Sequence, residues 1–236
     1  MAKSMNKVTR RVFIRQTSAA TLLAGLTGLD RPDLVSSMNK EQSRRTLAEP
    51  GPMIPPVPAI LLTVKGEPKD PDEISVVWTF VVNGEPPQVG ISAHEEHVAE
   101  GLLKRHGEFV LNVPTAEIVE AFDRVDMNSS KVADKFVLSG LTRGKAIRVD
   151  APTIEESPIH VECRIFNTID VPPVRTLFLA EVVATTVHDG VCDKDGRLLV
   201  DKVAFFGMTA GSGEFYTMGR AVGHIGMTVG RRDIKY

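Results

Sequence analysis

Between positions 59 and 206 the apolar residues fall into short runs, rich in β-branched side chains and closed off by turn residues. Runs of this kind build strands, because a pleated, half-buried surface favours branched side chains and Gly, Asn and Asp end it. The runs cover 59–64, 74–82, 89–92, 109–113, 159–166, 177–188 and 202–206. Asn83-Gly84, His188-Asp189-Gly190 and Asp195-Gly196 supply turns between them. Two stretches break the pattern. Residues 95–105 put Val98, Leu102 and Leu103 at helical spacing, and 115–124 read as a second helix with Thr115 at its N-cap. Many strands with few helices predict a mainly β (α+β) chain curled into a barrel, not a doubly wound sheet. No G-x-G-x-x-G follows a strand, which argues against a Rossmann nucleotide site.

Composition limits the partners. The 236 residues are 42% hydrophobic and 25% charged with a formal net charge of -2, so nothing draws the whole chain to nucleic acid or an anionic membrane. An anionic ligand must be held by local groups. Cys163 and Cys192 stand outside any Cys-x-x-Cys or zinc-ligand spacing. Cys163 lies in an apolar run and reads as a small buried hydrophobe, although a Cys163–Cys192 disulfide is open to it in an oxidising compartment.

The first 37 residues differ from the rest. Lys3, Lys7, Arg10 and Arg11 precede an apolar stretch over 17–29, and paired arginines ahead of such a stretch mark a twin-arginine export signal. At about thirteen residues the stretch is too short for a bilayer crossing, which needs roughly twenty. The expectation is export to the periplasm, with no transmembrane segment in the mature chain. The alternatives are a basic amphipathic leader, or an upstream extension of a protein that really starts at Met38, and without a signal the protein is cytoplasmic. Residues 38–54 turn polar and then proline-rich, as a linker running into an edge strand does. The barrel domain is expected over 55–236.

Several segments together resemble the flavin reductase-like, FMN-binding split-barrel family, in particular its flavoredoxin-type branch. They include Pro58-Ala59-Ile60-Leu61-Leu62-Thr63-Val64, residues 73–78 and Gly107-Glu108-Phe109-Val110-Leu111-Asn112-Val113-Pro114. Asp134-Lys135-Phe136, Gly140-Leu141-Thr142, Asp150-Ala151-Pro152, residues 160–163 and Phe178-Leu179-Ala180-Glu181-Val182 follow in family order. The resemblance covers roughly 55–231. It implies a split β-barrel with a few peripheral helices, a homodimer, and FMN, less often FAD, near the dimer interface. The cofactor would carry the redox chemistry while the polypeptide orients it. That agrees with a sequence in which no triad, carboxylate pair or metal cluster stands out.

By the same resemblance, Ser75, Val76, Val77 and Trp78 run along the flavin ring, with Trp78 alternatively a core residue. Ser92 starts the phosphate-side segment, where His94 and His97 could donate, or could simply be solvated. Here the chain departs from its relatives: Ala99 stands at the usual hydroxyl position. Lys135 matches a lysine that reaches the flavin, and Lys131 would share its face if the segment were helical. A cation there favours the negative charge of reduced flavin. Arg175 stands where relatives often carry histidine, and Asp72 where they often carry asparagine, which changes the groups offered to the ring edge. Phe206 and Tyr216 fall in the C-terminal region from which aromatics approach the flavin in relatives, with packing as the equal alternative for both. No catalytic side chain and no metal ligand is expected. The implied activity is an oxidoreductase passing electrons from NAD(P)H or a protein donor through flavin to an acceptor. Its rivals are an electron-carrying flavoprotein without turnover, and a binding module that has lost FMN for haem or another anionic ring.

Overall fold

The structure, a computed structural model, describes residues 46, 48–54, 56–210 and 212–230. The expected signal and its boundary at 37 lie outside the described residues. Every element below belongs to the unit Gly51–Tyr236.

Strands dominate, as the turn-bounded runs predict. The main sheet joins β2 (Leu61–Val64), β3 (Glu73–Val76), β4 (Trp78–Asn83), β5 (Gln88–His94), β6 (Glu108–Val113), β9 (Ile159–Val171) and β10 (Arg175–Val187). Its seven strands run in the order β3-β2-β6-β9-β10-β5-β4. β3 and β4 are therefore the two edges of the sheet, yet a single residue, Val77, separates them in the chain. Only a sheet curled on itself can bring its edges that close. The result is a split β-barrel, closed at one point by the covalent chain instead of a ladder. The expected single strand over 74–82 is thus two strands with different partners, because Val77 turns inward at the corner and is 4% exposed.

One apolar cluster draws Leu62, Val77, Ile91, Phe109, Cys163 and Phe178 from strands all around the sheet, and so fills the concave side. Helix α1 (Val98–His106) joins it through Ala99, Leu102 and Leu103. The helix starts at Val98 and not at 95, because His94 Nδ1 accepts a hydrogen bond from Glu96 N and holds 95–97 in a turn. A second cluster covers the outer face of β2 and β3. Leu61 and Ile74 meet Phe122 of α2 (Val119–Met127), Phe136 of α3 (Lys135–Ser139), and Phe206. Phe122, Phe206 and Phe215 stack edge to face there, with centroids 5.3–5.7 Å apart.

Thr115 makes no side-chain cap: a 3-10 turn over Ala116–Ile118 leads into α2, and Thr115 bridges Phe205 instead. The expected strand over 202–206 is mostly turn, and after the lone bridge at Phe205 comes β11 (Phe206–Met208), which lies between β1 (Val57–Pro58) and β12 (Phe215–Thr217). β7 (Arg143–Lys145) and β8 (Pro152–Ile154) form a separate hairpin. Among the described residues no helix is long and apolar enough to cross a membrane.

Candidate functional site

Eight of the expected flavin-site residues fall into two groups joined by a histidine pair. The first group is a consequence of register. Trp78 pairs with Ser92, and His94, two residues along β5, pairs with Arg175. Side chains two apart on a strand, and those directly opposite, share a face. Trp78, Ser92, His94 and Arg175 therefore line the outer face of β4, β5 and β10. Trp78 is 46% exposed, which rules out the core reading, and the Arg175 guanidinium lies over its ring, 4.2 Å from the centroid. Arg175 also donates to Ser92 O at 3.4 Å.

The second group surrounds a cleft of about 240 Å³ beside the free edge of β3. Ser75, Val76, His97 and Lys135 line it, with Asp126, Ser129 and Ser130 from the end of α2 and the turn beyond it. Lys135 owes its place to local chemistry. Asp134 caps α3, its Oδ1 accepting from Phe136 N at 2.9 Å, and Arg143 grips the same carboxylate at 2.8 Å. With its backbone held this way, Lys135 opens α3 and is 8% exposed.

Below it lies a residue that the sequence reading missed. Glu73, 3% exposed, stands with its Oε1 3.6 Å from Lys135 Nζ and accepts a 2.8 Å hydrogen bond from Ser75 Oγ. The signal was present in Glu73-Ile74-Ser75-Val76, where alternation puts Glu73 and Ser75 on one strand face.

His94 and His97 connect the groups, their rings stacked at 5.4 Å. Partial burial of the His97 ring, the neighbouring His94, and then Lys135 and Arg175 all push its pKa down, although the residue as a whole stands exposed at the rim. Asp126, on the same cleft wall, pulls the other way, so the charges around His97 are mixed.

Other expected members fall elsewhere. The Val77 side chain sits in the core, and Val77 is not among the residues that line the cleft. Lys131 does not share a helix face with Lys135. Residues 130–132 form a turn, α3 begins only at Lys135, and Lys131 borders a different hollow with Glu67 and Arg105. Ala99 is 1% exposed in the core, so a hydroxyl there would face apolar side chains. Asp72 is tied up in the fold, accepting from Gly66 N at 3.0 Å and pairing with Lys65 and Arg143. Phe206 is buried against Phe122, while Tyr216 is 58% exposed. Both cysteines are free, and burial pushes the Cys163 thiol up to about 12. Among the described residues no cluster of His, Cys, Asp and Glu could hold a metal. Lys135, His97 and the Ser75, Ser129 and Ser130 hydroxyls share the cleft with the carboxylates of Glu73, Glu96 and Asp126, beside a smaller apolar part at Val76, Val98 and Val125.

Residues 55–207 match the flavin reductase like domain family. The chain belongs to that family. An uncharacterized protein of Pyrococcus abyssi is 28% identical over 128 residues, 54% of this chain and 73% of that one. The flavoredoxin of Desulfovibrio vulgaris (Miyazaki F) superposes with a TM-score of 0.71 at 22% identity, covering 78% of this chain and 97% of its own. The flavoredoxin from Methanosarcina acetivorans also gives 0.71, at 21% identity, over 79% and 100%. These likenesses carry the split-barrel fold. A flavin reductase like domain is a flavin-binding redox module, and both residue groups of the site lie within the matched span.

Proposed function

We propose that this flavin reductase like domain binds FMN, or FAD, in the cleft beside β3. It would act as an oxidoreductase, passing electrons from NAD(P)H or a protein donor to an acceptor. The observation that carries this reading is Lys135, presented to the cleft among Val76, Ser129 and Ser130. Its 3.6 Å approach to Glu73 is longer than a hydrogen bond, so its donors can still reach a ligand. An apolar strip at Val76, Val98 and Val125 with hydroxyls and a cation converging on it can hold a flat ring system. Bound flavin would supply the electron chemistry. Lys135 would favour its negatively charged form, His97 and Ser92 would serve the phosphate side, and Trp78 with Arg175 would wall the outer rim.

The cleft is smaller than the roughly 300–1,000 Å³ of closed small-molecule pockets, so one chain would cover only part of a flavin. A second copy would complete it. Edge strand β4 supports that arrangement, since Phe80, Val81 and Val82 are 46%, 77% and 40% exposed on it. An uncovered apolar edge invites pairing. We further propose export through the twin-arginine route on a signal over residues 1–37, a linker over 38–54 and the barrel domain over 55–236.

The deciding experiment is the visible absorption spectrum of protein purified with and without residues 1–37, followed by titration with FMN, FAD and haem. A yellow protein bleached by a reductant is expected, with a dimeric molar mass in solution. A colourless product that ignores micromolar FMN and FAD sinks the assignment, and haem uptake in their place selects the binding-module reading. Arg175 favours a second reading, a flavoprotein that carries electrons without turnover. A guanidinium stays charged near neutrality and cannot donate the proton that a histidine could. Sustained oxidation of NADH or NADPH would eliminate it.

A further inference from the structure

Glu73 and Ser75 are an anomaly in the barrel wall. Their strand neighbours across β2 are Val64 and Leu62, both wholly buried and apolar. A carboxylate placed at 3% exposure beside them is unfavourable unless it is paired, and the pairing seldom repays the lost hydration in full. Apolar side chains would close the same strand edge without that cost. The pair also stands where a ligand would meet it, because Glu73, Ser75 and Lys135 all border the cleft.

We propose that Glu73 is a positioning residue that holds Lys135 and offsets its charge under bound flavin, keeping the flavin's reduction potential low. The proposal rests on the flavin reading above. Reduction adds two electrons from an external reductant and one proton from solvent to a neutral ring, and the product carries one negative charge. A lone ammonium beside the ring would bind that product better than the oxidised form. With a carboxylate 3.6 Å from the ammonium, the ring meets a near-neutral pair and the preference fades. Ser75 Oγ, donating at 2.8 Å, keeps the carboxylate turned towards Lys135. Other charges face Lys135 as well, with Asp126 and His97 nearby on the cleft wall, but Glu73 is the one buried against it.

The test uses the full chain loaded with FMN, comparing Glu73→Gln, Lys135→Gln and the double variant. Dissociation constants for oxidised FMN come from fluorescence titration, and midpoint potentials from equilibration with indicator dyes. Glu73→Gln should shift the reduced-to-oxidised affinity ratio at least tenfold towards reduced flavin, which is about 30 mV upward for a two-electron couple. Lys135→Gln should move the potential down, and the double variant should return it close to the starting value. Ser75→Ala, which frees the carboxylate without removing it, should move the potential in the direction of Glu73→Gln. It serves as the reporter if Glu73→Gln does not fold. If the unaltered chain binds no FMN, both the flavin reading and this one fall. FMN binding with an unmoved potential, or a double variant that keeps the full rise, overturns the role of Glu73 alone.

Discussion

The guanidinium of Arg175 lies 4.2 Å from the centre of the Trp78 ring, on the outer face of the strands that border the split. Trp78 is the only tryptophan in the chain, so its emission reports on this rim alone. Added FMN should quench it saturably. Arg175→Ala should weaken the quenching titration about tenfold, while the lost cation–π contact costs only about 0.5–1 kcal/mol of stability in denaturant melts. Unchanged affinity would place the ligand away from this stack.

His97 carries an acid-side liability. Its pKa in the folded chain lies below the ordinary value near 6.5 through burial of its ring and the charges of His94, Lys135 and Arg175. The unfolded chain therefore binds more protons in that window. The stability His97 contributes is present above about pH 6.5 and is lost as pH falls through its folded value. Thermal melts from pH 8 to pH 5 should show a smaller acid-side loss for His97→Asn than for the unaltered protein. Equal losses would assign the effect to other groups.

A structural carboxylate offers a sharper stability test. Glu162, fully buried on β9, accepts from the backbone N–H groups of Ile147, Arg148 and Val149 at 2.9, 2.6 and 3.2 Å. Glu162→Ala would orphan these donors together, at about 1–3 kcal/mol for each group left without a partner. Urea unfolding should show a loss of about 3 kcal/mol or more. A loss below 1 kcal/mol would mean that water replaces the carboxylate.

Thiol chemistry should separate the two cysteines. Cys163 is wholly buried with its thiol pushed up to about 12, whereas Cys192 is half-buried. A disulfide-exchange reagent at pH 8 should titrate Cys192 in the native protein and reach Cys163 only in denaturant. Simultaneous reaction of both would contradict the packing of β9.

Strand runs, turn dipeptides and the strand-rich class were legible because each depends on local chemistry. The corner at Val77 was not, since an apolar residue looks the same inside a strand as at a bend between two. Nor was the outer part of β9. Beyond Phe166 the strand leaves the core, and Asn167, Thr168 and Asp170 carry no burial alternation to read. At the site, Trp78, Ser92, His94 and Arg175 came together because register alone assembles them. Lys131 was misplaced because the Asp134 cap restarts the helix after it. Glu73 escaped notice because its partner arrives from an element 62 positions further along the chain, a closeness no local pattern reports.

The single-residue corner between β3 and β4 has a consequence for what this protein can tolerate. Side chains along a strand alternate, so if a residue inserted or deleted at position 77 made β4 slide one position along β5, the Trp78 indole would face the barrel interior and an aliphatic side chain would face Arg175. Swapping Val77 for another compact aliphatic side chain would leave that geometry alone. Here the count of residues is the inherited quantity, and their identity the negotiable one.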